Sequence, residues 1–387
     1  MNREKERKQQ LNIAMLGHKR VPSREGGIEQ VVGELSIRMA QKGHSVTCFN
    51  RSGHHVSGIE YDDEKWNTSY QNTEQITIKK VFTINRKGIA ALTSSFFGAI
   101  QCAFGKYDIV HFHGEGPSAM LWIPKLFGKK CIVTIHGLDW KRAKWKGFSS
   151  LYIKMGEKIA VLFADRIIVL SNNNKQYFKD TYGRAATYIP NGVNRVTKKS
   201  ADIIKKYGVN TDEYILYLGR LVPEKGAVYL IEAFKRLKTD KKLIIAGGSS
   251  DTREFVESLK EMAAEDDRII FTGFVQGSEL EELYSNAYVY CLPSDLEGMP
   301  LALLEAMSYG NCCITSDIEE CSEVLENKGI IFRRGDIEHL RETLQKLCDE
   351  PDLVEHYKRE AAEYICKKYN WDEVTDQTLD LYRQCMR

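Results

Sequence analysis

No run of 18 apolar residues occurs anywhere in these 387 residues, which excludes a membrane-spanning helix. The opening stretch, Met-Asn-Arg-Glu-Lys-Glu-Arg-Lys-Gln-Gln, is charged and lacks the apolar centre of a signal peptide, so a cytoplasmic chain is expected. Cys-x-x-Cys pairs are missing too. The ten cysteines are scattered, mostly inside apolar stretches (Cys48, Cys131, Cys291, Cys348); Cys312 and Cys313 are adjacent, and Cys366 stands far from any partner. That spacing argues against a disulfide framework or a zinc site and predicts reduced core thiols. Gly-x-Gly-x-x-Gly is absent as well, so a dinucleotide fingerprint is not supported.

What is present describes a soluble globular protein, 43% hydrophobic and 28% charged. The length suits two domains of somewhat under 200 residues each. The net charge of +2 is unevenly spread: residues 1–195 carry +14 and the remainder −12. A basic half of this kind faces something anionic, either nucleic acid or an anionic membrane surface.

Along the chain, short apolar runs end repeatedly in glycine or polar residues and are followed by helical periodicity. Leu11–Leu16 ends at Gly17-His18, then Gly26-Gly27 precedes a periodic segment to Lys42. Such a strand, glycine loop and helix lets backbone approach a phosphate. Ser45–Phe49 is a second strand, and the polar stretch Asn50–Gln75, with His54-His55, reads as a long loop. Gln75–Phe82 alternates as a strand and Ile89–Phe104 reads as a helix. Asp108–His113 ends at Gly114-Glu115-Gly116-Pro117, with a helix expected to Phe127. Lys130–Ile135 ends at His136-Gly137, Arg166–Leu170 at Ser171, and Ala186–Ile189 at Pro-Asn-Gly-Val-Asn194. The pattern restarts at Tyr214–Leu218, followed by Gly219-Arg220 and Lys225-Gly226. Lys242–Ala246, Arg268–Phe271, Ala287–Leu292 and Cys312–Thr315 complete it. Alternating strands and helices predict an α/β protein with two doubly wound parallel sheets, whose chemistry lies beyond the carboxyl ends of the strands. The boundary is placed after residue 195, so the domains span 1–195 and 196–370, with a last helix over 371–387.

The stretch Leu292–Gly310 is the most informative. A strand runs into Asp295-Leu296-Glu297-Gly298, and Met299-Pro300 opens a helix carrying Glu305, with proline in its first turn. Backbone N–H groups at a helix start seat anions, and two carboxylates eight residues apart suit two hydroxyls of one ligand. Together they suggest a nucleotide-sugar site; an amphipathic helix behind an acidic loop is the plainer alternative.

With these residues in place, the chain resembles the family 4 glycosyltransferases of the GT-B fold, from Ile13 to about Arg383. The motifs are Glu297 with Glu305, Gly219-Arg220 with Lys225-Gly226, the early Gly26-Gly27 loop, His136 and Pro-Asn-Gly-Val. The Pro-Ser-Arg-Glu-Gly-Gly-Ile-Glu form of the first loop looks like a bacterial surface-polysaccharide branch that includes rhamnosyltransferases. Asn194 departs from the aspartate usual after Asn-Gly-Val, a change expected to be mild. The resemblance implies two Rossmann-like domains facing across a cleft, with helix 371–387 packing back on the first.

It also implies roles. Arg220 and Lys225 would neutralise the donor diphosphate, whose charge grows as it leaves. Glu305 would accept from ribose hydroxyls and Glu297 from the transferred sugar. Backbone around Gly298, Met299, Pro300 and Leu301 would face the phosphates, Gly26 and Gly27 would close over them, and Phe274-Val275 would frame the base. His136 would lie nearest the reacting carbon of a retaining transfer; a core or capping histidine is its bland alternative. His111 and His113 share a strand face, so one can reach the cleft and both as ligands is implausible. Asp-x-Asp is absent, so no metal is expected, and no cofactor beyond the nucleotide-sugar substrate. Trp140 and Trp145, interleaved with four basic residues, fit a segment on an anionic bilayer or two tryptophans packed inward. The expected protein is a metal-independent hexosyl- or deoxyhexosyltransferase on the inner face of the cell membrane. Its acceptor would be a lipid-linked saccharide docking near Asn50–Gln75 and His111–Pro117, with no nucleic-acid partner. A nucleotide-sugar 2-epimerase needs further cleft carboxylates that the first half does not offer. A non-catalytic nucleotide-sugar-binding subunit would have no use for Arg220, Lys225, Glu297, Glu305 and His136 together.

Overall fold

The computed structural model describes residues 10–24, 26–52, 75–86, 88–141, 147–248 and 253–387. Two units divide the chain: Met1–Asn191 with Trp371–Arg387, and Gly192–Asn370. His54, His55, most of the Asn50–Gln75 loop and Trp145 lie outside the described residues.

The first unit contains β1 (Asn12–Leu16), α1 (Gly27–Gln41), β2 (Ser45–Arg51), β3 (Ile76–Val81), α2 (Ile89–Phe104), β4 (Ile109–His113) and α3 (Glu115–Ser118). It continues with α4 (Trp122–Leu126), β5 (Lys130–Ile135), α5 (Phe148–Phe163), β6 (Arg166–Val169), α6 (Asn172–Tyr182) and β7 (Thr187–Tyr188). Its seven strands are parallel, in the order β3-β2-β1-β4-β5-β6-β7. The central strands are covered on both faces, so they read as unbroken apolar runs: Ile13, Ala14, Met15 and Leu16 are all buried, as are all five residues of β4. The edge strand β3 is mostly exposed, with only Val81 buried.

Helix formation after Pro117 differs from expectation. Instead of one helix to Phe127 there are two short ones, because Pro124 has no N–H to return to the Met120 carbonyl. That carbonyl accepts from Ile123 N at 3.2 Å in a tighter turn. The closing helix, Trp371–Met386, belongs to this unit and buries Trp371, Leu379 and Tyr382.

In the second unit are β8 (Tyr214–Leu218), α7 (Ala227–Phe234), β9 (Lys242–Ala246), α8 (Arg253–Ala263), β10 (Ile269–Gly273), α9 (Gly277–Asn286) and β11 (Val289–Leu292). There follow α10 (Leu301–Ser308), β12 (Cys312–Ser316), α11 (Glu319–Leu325), β13 (Ile330–Phe332), α12 (Ile337–Asp349) and α13 (Pro351–Lys368). The sheet is again parallel, ordered β10-β9-β8-β11-β12-β13. Its core joins Tyr217, Leu230, Phe234, Ile245, Ile314 and Leu344, each wholly buried. Burying a side chain of this size is worth about 1.5–3 kcal/mol. All ten cysteines are unpaired, and nine of them are buried.

Each sheet reverses its strand order once, between β1 and β4 in the first unit and between β8 and β11 in the second. At such a point neighbouring loops diverge and leave a crevice beyond the carboxyl ends of the strands.

Candidate active site

At the reversal point of the second sheet, β8 ends at Leu218 and Gly219-Arg220 leads to the turn Pro223–Lys225. Tyr217, wholly buried, donates its hydroxyl to the Arg220 carbonyl at 3.1 Å and so anchors that loop. Gly226 has φ +68°, and a Cβ there would sit 1.9 Å from the Pro293 carbonyl oxygen. Only glycine permits this approach, which brings Lys225 against the loop after β11. There Lys225 Nζ lies 2.5 Å from Glu297 Oε1, which also accepts from Ser294 Oγ at 2.7 Å. Glu297 is buried and Lys225 nearly so, so the pair is shielded from solvent far more than a surface ion pair.

Helix α10 starts one residue later than expected. Pro300 is its cap rather than its first turn: ψ is 102° and its carbonyl accepts from Leu303 N and Leu304 N at 3.1 and 3.2 Å. Gly298, Met299, Pro300 and Leu301 are all buried in the approach to that helix start. Glu305, half-buried one turn on, accepts from Tyr284 OH through Oε2 at 3.3 Å. Tyr284 stacks on Tyr309 with centroids 5.4 Å apart. Past β10, Phe274 is exposed and Val275 buried. Arg220 stands half-buried beside this set, which gives the second unit two cations, two carboxylates and a helix N-terminus around one strand-end crevice.

At the reversal point of the first unit, β1 runs out at Gly17, whose φ is +108° and whose absent Cβ would lie 2.2 Å from the His113 carbonyl oxygen. His18 follows, buried, with Nε2 3.0 Å from Asn50 Oδ1; burial pulls its pKa down to about 4 against the opposing charge of Glu29. Gly26 caps α1 in extended conformation, and Gly27 is its first residue. Glu29 turns back to accept Lys19 N at 2.8 Å, holding the glycine loop to the strand end. His136, half-buried just past β5, has Nε2 3.0 Å from His113 Nδ1.

Just after His136, two carboxyl side chains that the sequence reading passed over hold the chain. Glu115, wholly buried at the start of α3, accepts Asp139 N at 2.8 Å through Oε2. Glu157, buried on α5, accepts from Trp140 Nε1 at 3.2 Å, Tyr177 OH at 2.9 Å and Tyr182 OH. Glu157 also stands near Glu115, so a negative charge on one opposes a negative charge on the other. Two buried carboxyl groups of like charge do not both ionise, so one keeps its proton. Glu157 has three donors and Glu115 one, so the proton belongs on Glu115, whose burial drives its pKa far above the carboxylate range. A glutamate directly after a strand-end glycine gives no clue to this; it needs the packing of α3 on α5.

Trp140 therefore faces inward. Its indole is tied to Glu157 and its ring is covered by Lys154 Nζ at 4.2 Å, so it is not an exposed membrane anchor. Among the described residues no helix is long and apolar enough to cross a membrane.

Two such parallel units, with charge and glycine loops gathered at their strand-end reversals, define a glycosyltransferase of the GT-B fold. The family model for group 1 glycosyl transferases matches residues 199–364, and that for glycosyltransferase family 4 matches residues 25–196. The chain belongs to this family of nucleotide-sugar-dependent glycosyltransferases. An uncharacterized glycosyltransferase of Methanocaldococcus jannaschii is 24% identical over 97% of this chain and 99% of that protein. The UDP-Gal:alpha-D-GlcNAc-diphosphoundecaprenol alpha-1,3-galactosyltransferase of Escherichia coli is 29% identical over 72% of this chain and 75% of its own. In fold, the sucrose-phosphate synthase of Thermosynechococcus elongatus superposes with a TM-score of 0.78 at 22% identity, covering 98% of this chain and 99% of that one.

Proposed function

We propose that the enzyme transfers a sugar, with retention of configuration, from a nucleotide diphosphate donor to a lipid-linked saccharide during cell-surface polysaccharide synthesis. The observation that carries the donor side is the Lys225–Glu297–Ser294 cluster beside Arg220 and the start of α10. Arg220, Lys225 and the backbone N–H groups at Leu301 meet the diphosphate, whose negative charge grows as it departs. Glu297, already oriented by two donors, offers its remaining lone pairs to a sugar hydroxyl, and Glu305 serves the ribose. His136 contacts the sugar near the reacting carbon. Gly26 and Gly27 cover the diphosphate, and Phe274 and Val275 border the base. The chemistry needs no metal, because fixed cations take the place of one at the leaving group. The E. coli relative names a UDP donor and a diphosphoundecaprenol-linked acceptor, and the same chemical classes fit here, with a deoxyhexose such as rhamnose as one candidate sugar.

Membrane contact belongs to the same reading, but through apolar helical faces rather than Trp140. Phe96, Phe97 and Phe104 on α2, Phe127 after α4, and Leu151 and Leu162 on α5 are all exposed, Phe104 and Leu162 at 72% and 73%. Phe104 and Phe127 lie edge to face at 4.8 Å, so the face is continuous across two helices. A basic half carrying such a face suits the anionic inner leaflet.

A thermal-shift panel of UDP, GDP, dTDP, ADP and CMP, with magnesium or chelator, tests the donor site. A nucleotide at about 100-fold excess over its Kd stabilises by roughly 2.7 kcal/mol. One diphosphate stabilising equally in chelator supports the reading; no shift with any overturns it. Sedimentation with phosphatidylglycerol vesicles, set against phosphatidylcholine alone, tests the membrane arm.

A further inference from the structure

Four histidines gather at the strand ends of the first unit. His111 and His113 share one face of β4 and are both wholly buried. His111 is held at both nitrogens: Nδ1 lies 2.6 Å from Tyr382 OH on the closing helix, and Nε2 lies 2.7 Å from Thr134 Oγ1 on β5. Its ring packs on that of His113, centroids 4.2 Å apart. His113 in turn meets His136, Nδ1 to Nε2 at 3.0 Å, and among the described residues its own Nε2 has no hydrogen-bond partner. Burial keeps both strand histidines neutral, His111 down at about 3 and His113 well below the ordinary imidazole value.

A hydrogen bond between His113 and His136 leaves one choice of direction. If His136 Nε2–H donated, neutral His113 would carry its proton on Nε2, a buried N–H with no acceptor, at a cost of about 1–3 kcal/mol. A doubly protonated His136 meets the same objection. In the opposite direction His113 donates from Nδ1, and its bare Nε2 lone pair is the cheaper group to leave unsatisfied. His18 does not rescue the first arrangement. Asn50 Oδ1 already accepts Val21 N while Asn50 Nδ2 donates to Val21 O, so the amide is fixed and His18 must donate to it from Nε2. That leaves His18 Nδ1 a lone pair that could accept, but among the described residues it too has no hydrogen-bond partner, so no bond joins it to His113 Nε2.

We propose that His113 is a positioning residue that fixes His136 as its Nδ1–H tautomer, so that His136 works through Nδ1 as a hydrogen-bond donor and not as a base. The brace behind His113 is His111, clamped between Thr134 and Tyr382. For a sugar near its reacting carbon, His136 then gives a hydrogen bond to an oxygen rather than removing a proton. The role of His136 rests on the function proposed above; its tautomer does not.

Histidine-labelled full-length protein, read by long-range ¹H–¹⁵N correlation with the His136 signals assigned by their loss in His136→Gln, reports the tautomer directly. The expected result is a protonated Nδ1 and a bare Nε2. His113→Asn, whose amide N–H replaces the donor, keeps that form. His113→Leu releases it toward Nε2–H and lowers kcat on the order of tenfold to a hundredfold, as for other partners that orient a working imidazole. KM for the nucleotide sugar selected by the thermal-shift panel stays unchanged, and His113→Asn recovers most of kcat. A proton on Nε2 of His136 in the unaltered protein overturns the proposal, and that measurement needs no variant to fold. If the Nδ1–H form is found but His136→Ala turns over normally, the tautomer lock stands and the role given to His136 fails.

Discussion

Replacing Glu115 by glutamine removes one titrating proton from the interior of the first unit. In the unfolded chain Glu115 ionises near 4.3. In the folded chain it faces Glu157, which is already served by Trp140, Tyr177 and Tyr182, and its carboxyl stays protonated through neutrality. The folded state therefore binds one proton more than the unfolded state above the ordinary carboxylate range. A carboxyl raised in this way contributes stability that is full below its unfolded value and is lost as pH rises. The slope is about 1.4 kcal/mol per pH unit for one proton. Glutamine titrates in neither state, so the advantage of Glu115→Gln over the parent grows by about 2.7 kcal/mol between pH 5.5 and 7.5. His18, His111 and His113 impose the opposite slope, losing stability as pH falls, but equally in both proteins, so they cancel in the difference. All five tryptophans lie in the sequence of the first unit, so urea unfolding followed by their fluorescence reports that unit in the intact chain. A difference that stays flat over this range refutes a proton held on buried Glu115.

Lys225→Met leaves Glu297 buried without its cation and costs the second unit about 3–5 kcal/mol, whereas adding Glu297→Gln recovers much of that without restoring turnover; calorimetry beside a nucleotide-release assay separates the two effects. Arg220→Ala weakens UDP or the nucleotide chosen by the panel by about 1.5–3 kcal/mol, roughly tenfold to a hundredfold in Kd, by titration calorimetry. An unchanged Kd would remove Arg220 from the diphosphate. Gly226→Ala drives a Cβ against the Pro293 carbonyl and costs about 2 kcal/mol or more, visible as a lower melting temperature; an unaltered one refutes the close approach.

The two parallel sheets were legible because their central strands are covered on both faces. Tyr214–Leu218 and Asp108–His113 announce themselves as apolar runs ending in glycine or polar residues. Helix breaks were less legible: Pro124 and Pro300 act through which carbonyls they leave free or cap, and pattern alone does not show that. At the site, Lys225 and Glu297 stand 72 residues apart, and only the missing Cβ of Gly226 lets their loops touch. At Trp140 the basic neighbours left a surface segment and an inward-packed ring both open, and Glu157 draws the ring inward. The link from His113 to His136 was half visible, since strand alternation put both β4 histidines on one face. The adjoining strand end that receives His113 was not.

Trp371–Met386 is made after the second unit, yet it belongs to the unit whose sheet is made first. While the ribosome is still producing the second unit, the first lacks Tyr382, and His111 lacks one of its two clamps. Domains usually settle in order as they emerge during synthesis. This one waits, so a nascent or truncated chain that holds a finished second unit would still present an unbraced histidine pair.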